Sequence, residues 1–426
     1  MAESLAGAGG GAGATTPAGE TPAAPAAGAA GGGINFRAML QQMVQHGASD
    51  LHLKVGRAPT LRVNGELATL PLPALRAEDL TALAKELMTP RQIKEFAEDR
   101  EADFATGVPG IGRFRVNVYQ QRGTIAFAFR TVPHQTPRLE ELNLPPVMGD
   151  LAMRPRGLVL VTGVTGSGKS TALAAMIQHI NERRHANVIT IEDPIEFLHR
   201  DINSHINQRE VGTDTGSFAG ALRRVLRQDP DVILLGEIRD LETLDTALKA
   251  ADTGHLVFST LHTTDATQTI NRILSFYPPH QQAEVRFMLS SALAAVISLR
   301  LVPRADRAGR VPACEVLINT AAVRENIRDM EKALDIPELI REGTVQYGMQ
   351  SFDQSLMSWY SKGVISYENA VFNATNPSEF ALRVQGVAGS SDTTWDAFQH
   401  GNGGRGERPS APPTVPGIDG PSGRGG

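Results

Sequence analysis

The chain has 426 residues, with 41 Lys and Arg against 46 Asp and Glu, and its net charge of −5 gives no global basic signature for nucleic acid. The single cysteine, Cys314, excludes an internal disulfide framework and a cysteine-based zinc site. No run of about 18 apolar residues exists; the longest, Ala292 to Val302, is interrupted by Ser298 and Arg300, so no membrane span is expected.

Residues 1–33 are almost wholly Ala, Gly, Pro, Thr and Ser, and from Val387 onward the chain is again Gly-, Ser- and Pro-rich. Both segments read as disordered tails, because too little apolar area is available to offset the entropy of ordering them. The start carries Glu3 and no basic segment, which argues against a secretory signal and for a cytosolic protein.

Residues 34–132 read as one α+β domain. Ile34 to Val44 carries apolar residues at helical spacing, with Gly47 as a breaker. Asp50 to Val55 alternates as a strand does, and Thr60 to Leu67 holds an Asn64-Gly65 turn between strand-like halves. Helices are predicted over Ala77 to Leu87 and Pro90 to Asp99. Strands follow over Arg113 to Gln121 and Thr124 to Arg130. Arginine alternates with apolar residues in the first of these, so Arg113 and Arg115 share one sheet face, and Arg130 ends the next strand. These arginines are either solvated groups on a half-exposed face or groups that reach phosphates. His52, between Leu51 and Leu53, reads as structural. Residues 133–147 hold Pro133, Pro137, Pro145 and Pro146 and read as an extended linker.

Residues 148–386 carry the chemistry. Gly163-Val164-Thr165-Gly166-Ser167-Gly168-Lys169-Ser170, followed by Thr171, fits the phosphate-loop pattern G-x-x-x-x-G-K-[ST]. The run Gly157 to Val161 before it reads as a buried strand and Thr171 to Ile177 after it as a helix. The glycines turn backbone N–H groups inward, and the helix start adds partial positive charge toward a nucleotide's phosphates. Lys169 is expected on the β- and γ-phosphates of ATP and the Ser170 hydroxyl on Mg²⁺.

Three further apolar strands are predicted, at Asn187 to Glu196, Asp231 to Leu235 and His255 to His262. They alternate with helices at Phe218 to Arg227 and Glu242 to Ala251, which predicts a mostly parallel sheet covered on both faces. Ligands collect at the carboxyl ends of such strands. Glu237 fits a Walker B role there, holding Mg²⁺ directly or through water, and Glu192 or Glu196 would orient the attacking water. His262, at a carboxyl end, is the histidine better placed to sense a γ-phosphate. His255, at the amino end, reads as structural or inter-subunit.

These residues resemble the secretion and pilus ATPases, and within them the type IV pilus retraction ATPases (the PilT family), from Ile34 to Val387. The likeness rests on Gly-Ala-Ser-Asp-Leu-His-Leu at 47–53, Arg-Phe-Arg at 113–115 and the phosphate loop. It rests equally on an Asp box at 189–196, a Walker B segment at 229–237 and a His box at 253–263. The resemblance implies a PAS-like N-terminal domain, a RecA-like P-loop ATPase domain, and a homo-hexamer with nucleotide between subunits. It implies a catalytic role for Glu196, Glu237, His255 and His262, with Arg113, Arg115 and Arg130 approaching the phosphates. It also implies a location in the cytoplasm, peripheral to the inner membrane at the pilus base, with an inner-membrane platform protein as partner.

Assembly and secretion relatives usually carry a four-cysteine zinc motif, which one cysteine cannot supply. Ala322-Val323-Arg324-Glu325-Asn326-Ile327-Arg328-Asp329 resembles the retraction motif Ala-Ile-Arg-Asn-Leu-Ile-Arg-Glu and keeps both arginines. Pilus retraction is therefore the expected function. The alternatives are an assembly or type II secretion ATPase, an accessory retraction paralogue, and a nucleotide-gated scaffold with negligible turnover.

Overall fold

The structure is a computed structural model and describes residues 35–133, 135–329 and 331–385; the tails expected at either end lie outside these residues. Its strands are β1 (Asp50–Lys54), β2 (Thr60–Val63), β3 (Glu66–Thr69), β4 (Glu101–Val108), β5 (Gly112–Gln121), β6 (Thr124–Val132), β7 (Gly157–Thr162), β8 (Asn187–Glu192), β9 (His205–Glu210), β10 (Val232–Leu235), β11 (Leu256–Leu261), β12 (Leu293–Pro303) and β13 (Arg310–Ile318). Helices α1 (Phe36–Gln45), α2 (Ala77–Leu87) and α3 (Pro90–Asp99) accompany the first six strands. Around the rest lie α4 (Val147–Ala152), α5 (Lys169–Arg183), α6 (Phe218–Val225), α7 (Leu241–Asp252), α8 (Ala266–Ser275), α9 (Gln282–Ala292) and α10 (Ala321–Arg328).

The first six strands form an antiparallel sheet in the order β3-β2-β1-β6-β5-β4. Alternation in β5 decides its two faces. Phe114, Val116 and Val118 are buried with Phe127 and Phe129 of β6, while Arg113, Arg115 and Asn117 stay half-exposed on the other side. Leu40 and Met43 of α1 and Leu80 and Leu83 of α2 complete this core. Thr89 caps α3 and Gln92 returns the bond, so the helix starts where the Pro90 signal predicts.

The second sheet has the order β13-β12-β7-β11-β10-β8-β9 and is parallel except for the β12–β13 hairpin. Every residue of β7, β10 and β11 is buried, as strands covered on both faces require. Helices α5 and α7 close over it with Ile177, Ile180, Leu244 and Leu248. Leu139, inside the segment expected as an extended linker, is buried in this same core. The parallel arrangement brings the carboxyl ends of β7, β8, β10 and β11 to one edge. The phosphate loop leaves from the first of them.

Candidate active site

The phosphate loop follows β7 directly. Gly163, Gly166 and Gly168 have φ of 139°, 79° and 95°, and Lys169 opens α5. At Gly163 a Cβ would stand 2.5 Å from Ser167 Oγ and 2.6 Å from the Leu299 carbonyl, so only glycine fits. Lys169 is buried and its Nζ donates to the carbonyls of Gly163 (2.7 Å) and Val164 (3.1 Å). Burial lowers the Lys169 pKa, while Glu237 and Glu196 act to raise it.

The loop borders a cavity of about 440 Å³. Thr165, Gly166, Gly168, Lys169, Ser170 and Thr171 line it, together with Glu192, Glu196, Glu237 and His262. Gly163 and Ser167, both predicted to hold nucleotide, do not line it; they set the shape of the loop from behind.

Glu237 follows β10 by two residues. Its Oε1 accepts from Arg239 Nη2 at 2.5 Å, and its Oε2 lies 3.4 Å from His262 Nε2. Burial acts to raise the Glu237 pKa, but Arg239 and His262 outweigh it and hold the carboxyl below its ordinary value. Thr260 Oγ1 donates to the Gly236 carbonyl at 2.8 Å and fixes the turn that carries Glu237.

The geometry separates the two carboxylates at the end of β8. Glu192 accepts from Thr190 Oγ1 (2.6 Å) and Gln208 Nε2 (3.1 Å), and burial pushes its pKa up. Its side chain is tied into the sheet. Glu196 is 46% exposed in its side chain and pairs with Arg115 Nη2 at 3.6 Å. Glu196 is the carboxylate free to meet a water.

His262 belongs to the cavity and His255 does not. His255 stands at the amino end of β11 with its Nδ1 on the Ala250 carbonyl (3.0 Å). Six strand residues at a rise of about 3.3 Å put it roughly 20 Å from the phosphate side. The catalytic role expected of His255 therefore finds no place at this chain's own loop.

The three arginines of the first sheet also stand outside the cavity. Arg113 pairs with Glu210 (3.1 Å), Arg115 donates to the Ile195 carbonyl (3.3 Å), and Arg130 Nε donates to Asp50 Oδ1 (2.8 Å). Arg115 and Arg130 line a second groove of about 850 Å³, which meets the phosphate cavity at Asp193 and Pro194. Three residues were not legible in the sequence: Glu210 and Thr260, whose contacts are set by packing between chain segments far apart, and Arg239, which meets Glu237 two residues earlier in the loop after β10. In the retraction-like segment, Arg324 and Arg328 are both exposed; Arg328 Nε donates to Ser290 Oγ (2.8 Å) and its guanidinium lies 4.8 Å from the Phe287 ring.

Residues 34–333 match the family model described as type II/IV secretion system protein. The chain is 46% identical to the Pseudomonas aeruginosa "Type IV pilus retractation ATPase PilT" over 347 residues, 82% of this chain and 100% of that protein. It is 41% identical to the "Type IV pilus ATPase PilU" of the same organism over 352 residues, 83% of this chain and 92% of that protein. A crystal structure described as the pilus retraction motor PilT with bound ADP superposes with a TM-score of 0.75 at 44% identity, over 81% of this chain and 98% of that one.

Proposed function

The chain belongs to the type II/IV secretion system protein family, and we propose that it is an ATP-hydrolysing motor that drives type IV pilus retraction. The observation that carries this reading is the convergence of Lys169, Glu196, Glu237 and His262 on one cavity, in a chain whose relative over most of its length is named a pilus retraction ATPase.

In this proposal residues 34–132 are a PAS-like domain and residues 148–386 a RecA-like P-loop ATPase domain. The amides of the loop and the start of α5 receive the ATP phosphates, and Lys169 leaves its carbonyl partners to reach them. The Ser170 hydroxyl and the ionised Glu237 border the same cavity and offer the hard oxygen donors that Mg²⁺ takes. Bound there, the ion would neutralise phosphate charge. Glu237 already serves Arg239 and His262, so it would act through water. Glu196 orients the attacking water and accepts its proton, and His262 reports the γ-phosphate to Glu237.

Arg113, Arg115 and Arg130 complete a nucleotide site from the N-terminal domain of this or an adjoining subunit of a homo-hexamer. His255, at the opposite strand end, takes an inter-subunit role in that ring. Among the described residues no helix is long and apolar enough to cross a membrane. By its likeness to a pilus retraction ATPase, the motor works in this proposal on the cytoplasmic side of the pilus base, against an inner-membrane platform protein. A deletion strain tests it: pili should remain or increase while twitching is lost. A strain without pili would instead mark an assembly ATPase.

A further inference from the structure

Resting on Glu196 as the carboxylate that works on water, we propose that Glu210 is the positioning residue that fixes the Glu196 loop against the N-terminal sheet. Glu210 ends β9 and is buried, with 4% of its side chain exposed. Its Oε2 accepts from two directions at once: the Ile195 N–H at 3.1 Å and Arg113 Nη2 at 3.1 Å. Its Oε1 accepts from the Thr213 hydroxyl at 3.2 Å, and its own N–H donates to Asp214 Oδ2 at 2.8 Å. No freedom is left to this carboxylate.

What it holds is the residue before Glu196. The Ile195 N–H is bound by Glu210, the Ile195 carbonyl accepts from Arg115 Nη2 at 3.3 Å, and the Ile195 side chain is buried. Arg113 and Arg115 reach this point together because alternate residues of β5 share a face. A buried carboxylate without a partner is costly, and charge-assisted bonds are the strong ones, so Glu210 and Arg113 form a directional link between the two sheets. A shift of the N-terminal sheet then moves the Ile195 backbone, and with it Glu196, while the phosphate loop stays in place. Displacements of about 1 Å at such a group change rates by about a hundredfold.

The test compares steady-state phosphate release by the purified full chain as wild type, Glu210→Gln, Glu196→Ala and the double variant. Fluorescent-ADP binding and thermal melting are measured on each. Glu210→Gln keeps the shape and removes the charge; it should lower kcat about tenfold or more while KM and ADP affinity stay within about twofold. In the Glu196→Ala background it should add less than about a twofold further loss, because its effect passes through Glu196. Unchanged kcat, an equal loss in both backgrounds, or a matching loss of ADP affinity would overturn the proposal. Should Glu210→Gln fail to fold, Thr213→Val removes the hydroxyl that holds the other oxygen of this carboxylate and must show the same dependence on Glu196; normal kcat there overturns the proposal. Wild-type turnover by Glu196→Ala would sink the reading of Glu196 first and the link with it, which separates the two failures.

Discussion

Arg115 of the N-terminal sheet grips both the side chain and the neighbouring backbone of Glu196: its Nη2 lies 3.6 Å from Glu196 Oε1 and 3.3 Å from the Ile195 carbonyl. The side chains are 29% and 46% exposed, so the ion pair is screened and contributes at most about 1 kcal/mol to stability. Arg115→Ala should therefore lower the unfolding free energy by less than about 1 kcal/mol. Its turnover should nevertheless fall by about tenfold or more, because the carboxylate loses an orienting contact. Chemical denaturation beside a phosphate-release assay checks both halves of the expectation.

Lys169 is held by the loop it serves, with its ammonium on the carbonyls of Gly163 and Val164. Lys169→Ala removes the charge that phosphates would draw out of that position. Nucleotide affinity should fall by about a hundredfold, corresponding to about 3 kcal/mol. Titration with a fluorescent ADP measures it.

Gly163 combines a φ of 139° with contacts that leave no room for a Cβ. Gly163→Ala must relieve clashes with both the Ser167 side chain and the β12 backbone at Leu299, at a cost of about 1–3 kcal/mol. Because the displaced atoms shape the phosphate loop, melting temperature and nucleotide affinity should fall together. Loss of one without the other would contradict the close approach.

Glu315 of β13 is buried beneath α8, where its Oε1 accepts the Ala266 N–H at 2.8 Å, and burial pushes its pKa up to about 7. Below the ordinary value of 4.5 both folded and unfolded chains hold the proton. Between 4.5 and about 7 only the folded chain holds it, so stability declines as pH rises through this window and levels off above it. Buried His199, whose pKa is lowered to about 4, has the opposite sign: its contribution grows between about 4 and 6.5. Glu315→Gln isolates the first effect. The stability difference between variant and wild type should widen from pH 4.5 to 7.5 in favour of the variant, by a few kcal/mol at most. Urea melts across that range measure it.

The sequence made the parallel core legible because β7, β8, β10 and β11 are short, mainly apolar runs: β7 and β8 end in Thr162 and Glu192, and Glu237 and His262 follow within two residues of the ends of β10 and β11. The phosphate loop was legible because glycines and Lys169 answer a local demand. Strand β4 was not predicted: in Glu-Ala-Asp-Phe-Ala-Thr-Gly-Val only Ala102 and Phe104 are buried, so its signal comes from pairing with β5. Polar β9, His-Ile-Asn-Gln-Arg-Glu, is likewise an edge strand defined by β8. The choice between Glu192 and Glu196 depends on Gln208, and the role of Glu210 depends on Arg113, 97 residues away. No local pattern carries contacts of that range.

Hydrolysis of ATP through Glu196 in the cavity beside the phosphate loop is decided by steady-state phosphate release from Glu196→Gln. The substitution keeps the shape and removes the base. The rate should be lower by about 10²–10⁴, with fluorescent-nucleotide affinity unchanged. Wild-type turnover in that variant would contradict it.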